Sequence, residues 1–323
     1  MTRNDPPRPR RRRRPLLTCA GVLVLLALIG YFAVQYNSTN GGGGAPHCTA
    51  SARTSGQGVD MTPEQAGNAA TIAAVGVAKG LPDRALTIAL ATAMQESGLR
   101  NLPHGDRDSL GLFQQRTSMG WGTEEQIMDP VYSAGKFYDH LVEVKGYADL
   151  PLTEAAQEVQ RSGYPEAYAK HEPEAVVIAA AFAGDGELTC GGPAPTAPGD
   201  PEKVRTELTR IFAKSKMHTA PAEPRRTQDA AGKVKEAEVT FVEKKDGGAS
   251  AARGSKVMAG WAVANARGMG VVRVSYGPAS WVAGQAKGEW QQLGPAGAQG
   301  KGKAGASDPH RAENGSVRIF VAQ

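Results

Sequence analysis

Residues 93–115 read AMQESGLRNLPHGDRDSLGLFQQ, and this stretch decides the fold of the region around it. It begins inside residues 82–97, where apolar side chains recur at the spacing of a helix with one broad buried face. Gly98 is typical of the position just after a helix C-terminus. The sequence therefore predicts a helix that ends at Ser97 and carries one carboxylate, Glu96, in its last turn.

The position of Glu96 suits a general acid. A carboxyl group in the last turn lies near the negative end of the helix dipole, and apolar neighbours also disfavour an ionised form. A carboxyl group that holds a proton near neutral pH can donate it to a leaving oxygen. A solvent-exposed glutamate at a helix end fits the same residues, so this pattern alone leaves both interpretations open.

Two motifs in this stretch carry a family resemblance. Glu96-Ser97-Gly98 and the turn at residues 108–114, DSLGLFQ, resemble the lysozyme-like superfamily, especially its soluble lytic transglycosylase (SLT) type. The resemblance covers roughly residues 58–190. It implies that Glu96 is the general acid and that the turn lines a sugar cleft. The turn residues it assigns to substrate binding are Ser109, Gly111 and Gln114.

Two more residues are candidates for the same cleft. Ser97 can orient Glu96, although serine is also an ordinary residue at a helix terminus. Trp121 lies between Gly120 and Gly122 in a predicted loop, where its ring could stack on a sugar. Aromatic residues at helical spacing belong more often to the core, but Trp121 lies in a loop. We therefore predict Ser97 and Trp121 as further substrate-binding residues.

A third family element is an Ala-Tyr-Asn-Ala-Gly stretch, and its best match is residues 180–186, AAFAGDG. This segment keeps the Ala-Gly frame. Ala181 and Phe182 stand where the family has Tyr and Asn. The departure keeps a second interpretation open, in which the cleft holds a glycan without cutting it.

The number of carboxylates in the site distinguishes a glycoside hydrolase from a lytic transglycosylase. Glycoside hydrolases generally use a pair of carboxyl groups, and Asp106, Asp108 and Glu124 are available as a second one. SLT-type enzymes use one glutamate, and the 6-hydroxyl of the sugar itself closes an anhydro product. The resemblance therefore favours a transglycosylase over a hydrolase.

The N-terminus predicts a membrane anchor. Seven of the 37 basic residues and one of the 32 acidic residues lie in the first fifteen positions, so the rest of the chain is nearly neutral. This distribution does not support a nucleic-acid-binding surface. An apolar run follows, long enough to cross a bilayer at roughly 28 Å. We predict a cytoplasmic tail at 1–15, a single span at 16–36 and a flexible tether at 37–47, with the main domains extracellular.

Cys48 and Cys190 bracket the region of the resemblance. In an oxidising exterior they are predicted to form a disulfide that closes a loop of about 140 residues. Two free thiols or a metal pair are the alternatives. A metal site has weak support, since no Cys-x-x-Cys motif is present and His47 is the only adjacent ligand type.

The predicted fold class is α+β overall. Residues 48–190 form an all-α lysozyme-like domain, followed by a linker at 191–200, a helix at 201–215, a second linker at 216–235 and a small α+β domain at 236–323. Trp281 and Trp290 belong either to the core of this last domain or to an exposed binding face.

These observations predict a membrane-anchored, extracellular protein that acts on peptidoglycan. The first hypothesis is lytic transglycosylase-like cleavage of the glycan strand, and the alternative is a non-catalytic glycan-binding or envelope-assembly module. The expected partners are the glycan strand, the membrane and an envelope protein bound by the C-terminal domain. Neither a cofactor, a metal nor a nucleic acid is expected.

Overall fold

A computed structural model of the chain describes residues 44–53, 56–161, 165–213, 224–228, 234–242, 248–293, 311–312 and 315–323. The predicted basic tail and the span at 16–36 lie outside these residues, as does most of the tether. Among the helices that are described, none is long and apolar enough to cross a membrane.

Helix boundaries follow the signals in the sequence. Thr62 and Gln65 form a reciprocal capping box, in which the Gln65 side chain accepts from the Thr62 N–H at 2.9 Å. The helix that carries Glu96 ends at Gly98, which has a left-handed backbone with φ of 61°. The α-helices are α1 (Pro63–Ala78), α2 (Asp83–Ser97), α3 (Glu124–Ile127), α4 (Pro130–Glu143), α5 (Leu152–Gln160), α6 (Glu172–Ala183), α7 (Pro201–Phe212), α8 (Gly248–Ala264) and α9 (Ala266–Met269).

The region predicted as all-α contains β-structure, which corrects that prediction. A three-stranded antiparallel sheet has the order β2-β1-β5, and a short β3–β4 pair forms the motif turn. Cys48 and Ala50 alternate with more exposed neighbours, so β1 has the period of a half-buried strand. These strands are β1 (His47–Ser51), β2 (Gly58–Met61), β3 (Ser109–Leu110), β4 (Gln115–Arg116) and β5 (Glu187–Gly191).

The second sheet is antiparallel and has six strands in the order β10-β9-β8-β11-β7-β6. The predicted strand near the C-terminus is present as β11, and it lies inside the sheet between β8 and β7. The mixed α+β class is therefore confirmed. The strands are β6 (Arg225–Gln228), β7 (Val234–Val242), β8 (Val271–Tyr276), β9 (Ala279–Val282), β10 (Gln291–Gln292) and β11 (Ser316–Ala322).

One hydrophobic core joins the two halves of the chain. Helix α8 packs against α1 and α6 on one side and against β8 and β11 on the other. The buried Trp261 ring donates from Nε1 to Thr71 Oγ1 at 3.2 Å, and Arg253 donates to the Leu81 carbonyl at 2.8 Å. The domain boundaries inferred from composition remain predictions. In the structure, the C-terminal part packs directly on the N-terminal part.

The predicted disulfide between Cys48 and Cys190 is confirmed. The two cysteines lie directly opposite each other in β1 and β5. Trp281 and Trp290 pack along the same strand, and their Nε1 atoms donate to the carbonyls of Cys190 at 3.1 Å and Leu188 at 2.8 Å. Both indole N–H groups therefore bond to the backbone of the disulfide-bonded sheet.

Candidate active site

Glu96 lies at the end of a helix whose other residues are mostly buried. From Ala85 to Ala93, every residue of α2 is buried, so the helix is fixed on several sides. Glu96 itself is half-buried and forms part of the wall of a cleft of about 1110 Å³. The helix therefore presents one carboxylate to an open groove from a rigid support.

The turn after Glu96 is held by the neighbouring helix α1. Gly98 and Leu99 both have left-handed backbone conformations, with φ of 61° and 60°. Gln65 Nε2 donates to the Gly98 carbonyl at 3.0 Å, and Asn68 Nδ2 donates to the Leu99 carbonyl at 2.8 Å. A leucine rarely adopts this conformation, so the two amide side chains stabilise a turn that the sequence disfavours.

Ser97 connects the end of α2 to the motif turn. Its hydroxyl is buried and lies 3.0 Å from the Ala93 carbonyl and 2.8 Å from the Leu112 carbonyl, while it accepts from the Arg100 N–H at 3.2 Å. Ser97 is not among the residues that line the cleft. The structure therefore places it behind Glu96, where it positions the two motifs relative to each other.

Gly111 also lies away from the cleft wall. Its φ is 76°, and a Cβ atom at this position would lie 2.8 Å from the Ile127 carbonyl oxygen. Only glycine combines this backbone with such close packing. Gly111 thus shapes the turn that carries Ser109 and Gln114.

Four of the predicted site residues meet in the cleft: Glu96, Ser109, Gln114 and Trp121. Sequence reasoning missed most of the charged residues around them, because they come from several separate elements: β4, α4, α5, the loops after these two helices and the 3₁₀ helix Pro165–His171. The additional ionisable residues that line the cleft are Arg116, His140, Glu143, Lys145, Glu154, Glu158, Arg161 and Glu166.

The Gln114 side chain forms hydrogen bonds within its own loop. Ser109 Oγ lies 3.0 Å from Gln114 Oε1 and 2.7 Å from the Asp106 carbonyl. Gln114 Nε2 donates to the Gly111 carbonyl at 3.3 Å. The backbone of Gly105 packs over this amide, since a Cβ there would lie only 1.7 Å from Gln114 Oε1.

Trp121 forms an aromatic surface in the cleft. Its ring contacts His140 edge-on, with ring centroids 4.5 Å apart and an interplanar angle of 63°. Tyr132 donates from its hydroxyl to the Trp121 carbonyl at 3.2 Å and so holds the loop. Met119, with 63% of its surface exposed, lines the same cleft. The loop therefore has the apolar and aromatic character that sugar rings contact.

The three candidates for a second carboxylate differ in position. Asp106 lines the cleft, whereas Asp108 and Glu124 do not. Asp108 accepts from the Ser118 N–H at 2.9 Å and from Thr117 Oγ1 at 3.1 Å. These hydrogen bonds, the Ser118 N–H first, lower the pKa of Asp108 from 3.8 to about 2. Asp108 thus stabilises the turn at Thr117–Met119.

Sequence reasoning missed the residue that contacts Glu96. Tyr168 is fully buried in the 3₁₀ helix Pro165–His171, and its hydroxyl donates to Glu96 Oε1 at 2.7 Å. No motif marked this tyrosine. Ala181 and Phe182, the two positions at which the sequence departs from the motif it resembles, are buried in the core and do not line the cleft.

The adjacent side chain of α2, Gln95, contacts the end of the same 3₁₀ helix. Gln95 Oε1 lies 3.2 Å from His171 Nε2. Burial lowers the pKa of His171, and the neighbouring positive charge of Lys170 adds to the effect. The 3₁₀ helix is thereby joined to α2 by two successive residues, Gln95 and Glu96.

In the described part of the chain, no three His, Cys, Asp or Glu side chains are grouped as a metal site. Comparison with models of known protein families gave no match for this chain, and comparison with curated proteins gave none either.

Proposed function

We propose that the protein cleaves the glycan strand of peptidoglycan as a lytic transglycosylase of the lysozyme-like superfamily, with Glu96 as the general acid and base. The observation that supports this most is the contact between Glu96 and Tyr168. A half-buried carboxylate in a large cleft, held by a buried hydroxyl at 2.7 Å, has the fixed geometry that general acid catalysis needs.

The two carboxylate oxygens of Glu96 have different surroundings. Oε1 accepts the hydrogen bond from Tyr168. Within the described residues, no side chain or backbone group bonds to Oε2. We assign the transferred proton to Oε2, because Tyr168 fixes the orientation of the carboxyl group through the other oxygen.

In the proposed reaction, Glu96 first donates its proton to the glycosidic oxygen, and the bond from that oxygen to C1 breaks. The resulting carboxylate then removes the proton of the 6-hydroxyl on the same sugar as its oxygen bonds to C1. The products are a 1,6-anhydro sugar end and a new 4-hydroxyl end, and Glu96 regains its proton. This scheme needs no second carboxylate.

The other cleft residues provide binding in this proposal. Trp121 and Met119 contact the apolar face of a sugar ring, while Ser109 and Gln114 shape the wall on the side of the motif turn. The predicted anchor at 16–36 would hold the domain outside the membrane, close to the cell wall. An envelope protein remains the proposed partner of the C-terminal part.

A non-catalytic glycan-binding or envelope-assembly module is the second candidate. Ala181 and Phe182 stand where the family has Tyr and Asn, and both are buried, so this segment does not supply that pair to the cleft. The missing pair favours binding without cleavage. In that case Glu96 and Trp121 would bind glycan, and no bond would be cut.

The test is digestion of purified peptidoglycan by the full-length protein in detergent, with mass spectrometry of the released fragments. Glu96→Gln is the test variant, and Glu124→Gln is its matched control because Glu124 lies outside the cleft. We expect anhydro ends from the wild type and the control but not from Glu96→Gln. Reducing ends would instead indicate a hydrolase. Binding without release from any variant would indicate the non-catalytic module.

A further inference from the structure

Side chains from two helices hold successive peptide groups of the motif turn. Ser97, at the end of α2, lies 2.8 Å through its Oγ from the Leu112 carbonyl. Gln160 is the last residue of α5, and its Nε2 donates to the next carbonyl, that of Phe113, at 2.8 Å. Helix α5 also packs against α2, α4 and the 3₁₀ helix Pro165–His171. Gln160 therefore joins the motif turn to a wall of the cleft that lies outside the sequence motifs.

Unlike Ser97, Gln160 lines the cleft that contains Glu96. A carbonyl oxygen can only accept, so the bond to Phe113 must come from Nε2, and Oε1 is the remaining polar atom of the amide. Gln160 is half-buried, and its Oε1 has no hydrogen-bond partner among the described residues. Oε1 is also not sealed in the core, so a donor in the cleft can reach it.

The predicted binding residues of the motif turn are less available to a ligand. Ser109 Oγ lies 3.0 Å from Gln114 Oε1, and Gln114 Nε2 donates to the Gly111 carbonyl at 3.3 Å. A ligand that bonds to either side chain competes with these contacts. Gln160 Oε1 can accept a hydrogen bond without the loss of any contact in the free protein.

The bond to Phe113 also prepares Gln160 for binding. A glutamine that is free in solvent loses rotamer freedom when a ligand immobilises it, and this loss weakens binding. In Gln160, the Nε2 bond already orders the side chain, so Oε1 is a pre-organised acceptor.

We infer that Gln160 is a substrate-binding residue, whose Oε1 accepts a hydrogen bond from a hydroxyl or an amide N–H of the glycan while its Nε2 holds the motif turn. This inference rests on the proposed function, because the glycan is the ligand of the same cleft. It adds a binding group that α5 supplies and that the family motifs do not contain.

Two substitutions separate the binding role of Gln160 from its structural role. Gln160→Lys keeps a donor for the Phe113 carbonyl but removes the acceptor, whereas Gln160→Glu keeps an acceptor and removes the donor at neutral pH. Gln160→Lys should therefore weaken glycan binding by about three- to tenfold, the size of one neutral hydrogen bond. Gln160→Glu should bind about as tightly as the parent, but its melting temperature should be the lower of the two.

The experiment is calorimetric titration of N-acetylated chitotetraose, an uncharged β-1,4-linked glycan, into the full-length protein in detergent. Every variant also carries Glu96→Gln, so that no cleavage interferes. Thr153→Lys is the matched control for charge, because Thr153 lines the cleft from the same face of α5, about two turns before Gln160. It should weaken binding less than Gln160→Lys does. Thermal unfolding of each variant shows whether it is folded and how stable it is.

Four results would overturn the inference. Gln160→Lys could bind as tightly as the parent, Gln160→Glu could lose as much affinity as Gln160→Lys, or Thr153→Lys could weaken binding equally. In these three cases the parent still binds, so the proposed glycan function stands. If the folded parent does not bind chitotetraose, the glycan function fails together with the inference. If Gln160→Lys does not fold, Gln160→Met replaces it, and parent-like binding by Gln160→Met would overturn the inference.

Discussion

The hydroxyl of Tyr168 donates a 2.7 Å hydrogen bond to Glu96 Oε1, across 72 positions of sequence. Tyr168 is completely buried, and Glu96 is half-exposed in the cleft wall. The contact therefore joins a buried side chain of the 3₁₀ helix to Glu96, the proposed general acid.

Replacing Tyr168 with phenylalanine should reduce activity much more than stability. The ring still fills its site, but the carboxylate loses a fixed donor. Hydrogen bonds to charged groups are worth about 1.5–3 kcal/mol, so the initial rate of glycan release should fall by about ten- to a hundredfold. The rate is measured by mass spectrometry of soluble fragments, and an unchanged rate would show that the contact is not needed.

Tyr138→Phe is the matched control. Tyr138 is also fully buried, and its hydroxyl donates to the Ile72 carbonyl at 3.1 Å, inside the core and outside the cleft. We expect the free energy of unfolding to fall by about 1 kcal/mol, with the release rate unchanged. Similar losses of release rate in Tyr168→Phe and Tyr138→Phe would show that the effect does not depend on the contact with Glu96.

Asp108→Asn should change how stability depends on pH. The pKa of Asp108 is lowered in the folded protein, from 3.8 to about 2, chiefly by the Ser118 N–H. The charged carboxylate therefore stabilises the fold fully above pH 3.8, and this contribution disappears as the pH falls toward 2. Melting temperatures of wild type and Asp108→Asn should converge over that range. A difference in melting temperature that stays constant from pH 3.8 to pH 2 would show that the Asp108 carboxylate does not stabilise the fold in this way.

Removing the disulfide should destabilise the protein strongly. Cys48 and Cys190 are 142 positions apart and both are buried. In the chain-entropy model a cross-link of this span contributes about 4–5 kcal/mol, by restricting the unfolded chain. The double substitution Cys48→Ala with Cys190→Ala should therefore lower the unfolding midpoint in urea. The parallel experiment is urea unfolding of the wild type with a reducing agent. Unchanged midpoints in both the double variant and the reduced wild type would show that the disulfide does not stabilise the fold.

Gly105→Ala should disturb the loop that covers Gln114. The added methyl group would lie 1.7 Å from Gln114 Oε1 and 2.6 Å from Ser109 Oγ, so the Gln114 side chain must move away from its hydrogen bonds with Ser109 and Gly111. We expect a loss of about 1–3 kcal/mol in unfolding free energy, together with weaker glycan binding.

The matched control for Gly105 is Gly135→Ala in the middle of α4. Apart from the backbone of its own helix, no atom lies within 4 Å of a Cβ at Gly135. Alanine there should stabilise the protein by about 0.5–1 kcal/mol, because glycine weakens a helix interior. Equal effects of the two substitutions, measured by urea unfolding, would contradict the close packing at Gly105.

Local signals in the sequence predicted local structure well. Thr62 and Gln65 marked the start of α1, and Gly98 marked the end of α2, because caps and stops depend on neighbouring residues. The cysteine pairing could be predicted because only two cysteines lie outside the apolar run.

Apart from the disulfide, contacts between distant segments were not predicted. The pairing of β1 with β5 joins residues more than 130 positions apart, and each of these strands has only five residues. Tyr168 likewise reaches Glu96 through tertiary packing, and no spacing in the sequence encodes that approach. The bond from Gln115 Nε2 to the Ser133 carbonyl also joins separate elements, β4 and α4, so only the structure reveals it.

The bonds from Trp281 and Trp290 to the carbonyls of Cys190 and Leu188 have a consequence for self-association. Strand β5 ends its sheet, and an uncovered sheet edge is a template for strands of other molecules. Two indole N–H groups occupy alternate carbonyls along that edge. The C-terminal part thus covers the β5 edge and leaves two fewer free carbonyls there for a strand of another molecule to pair with.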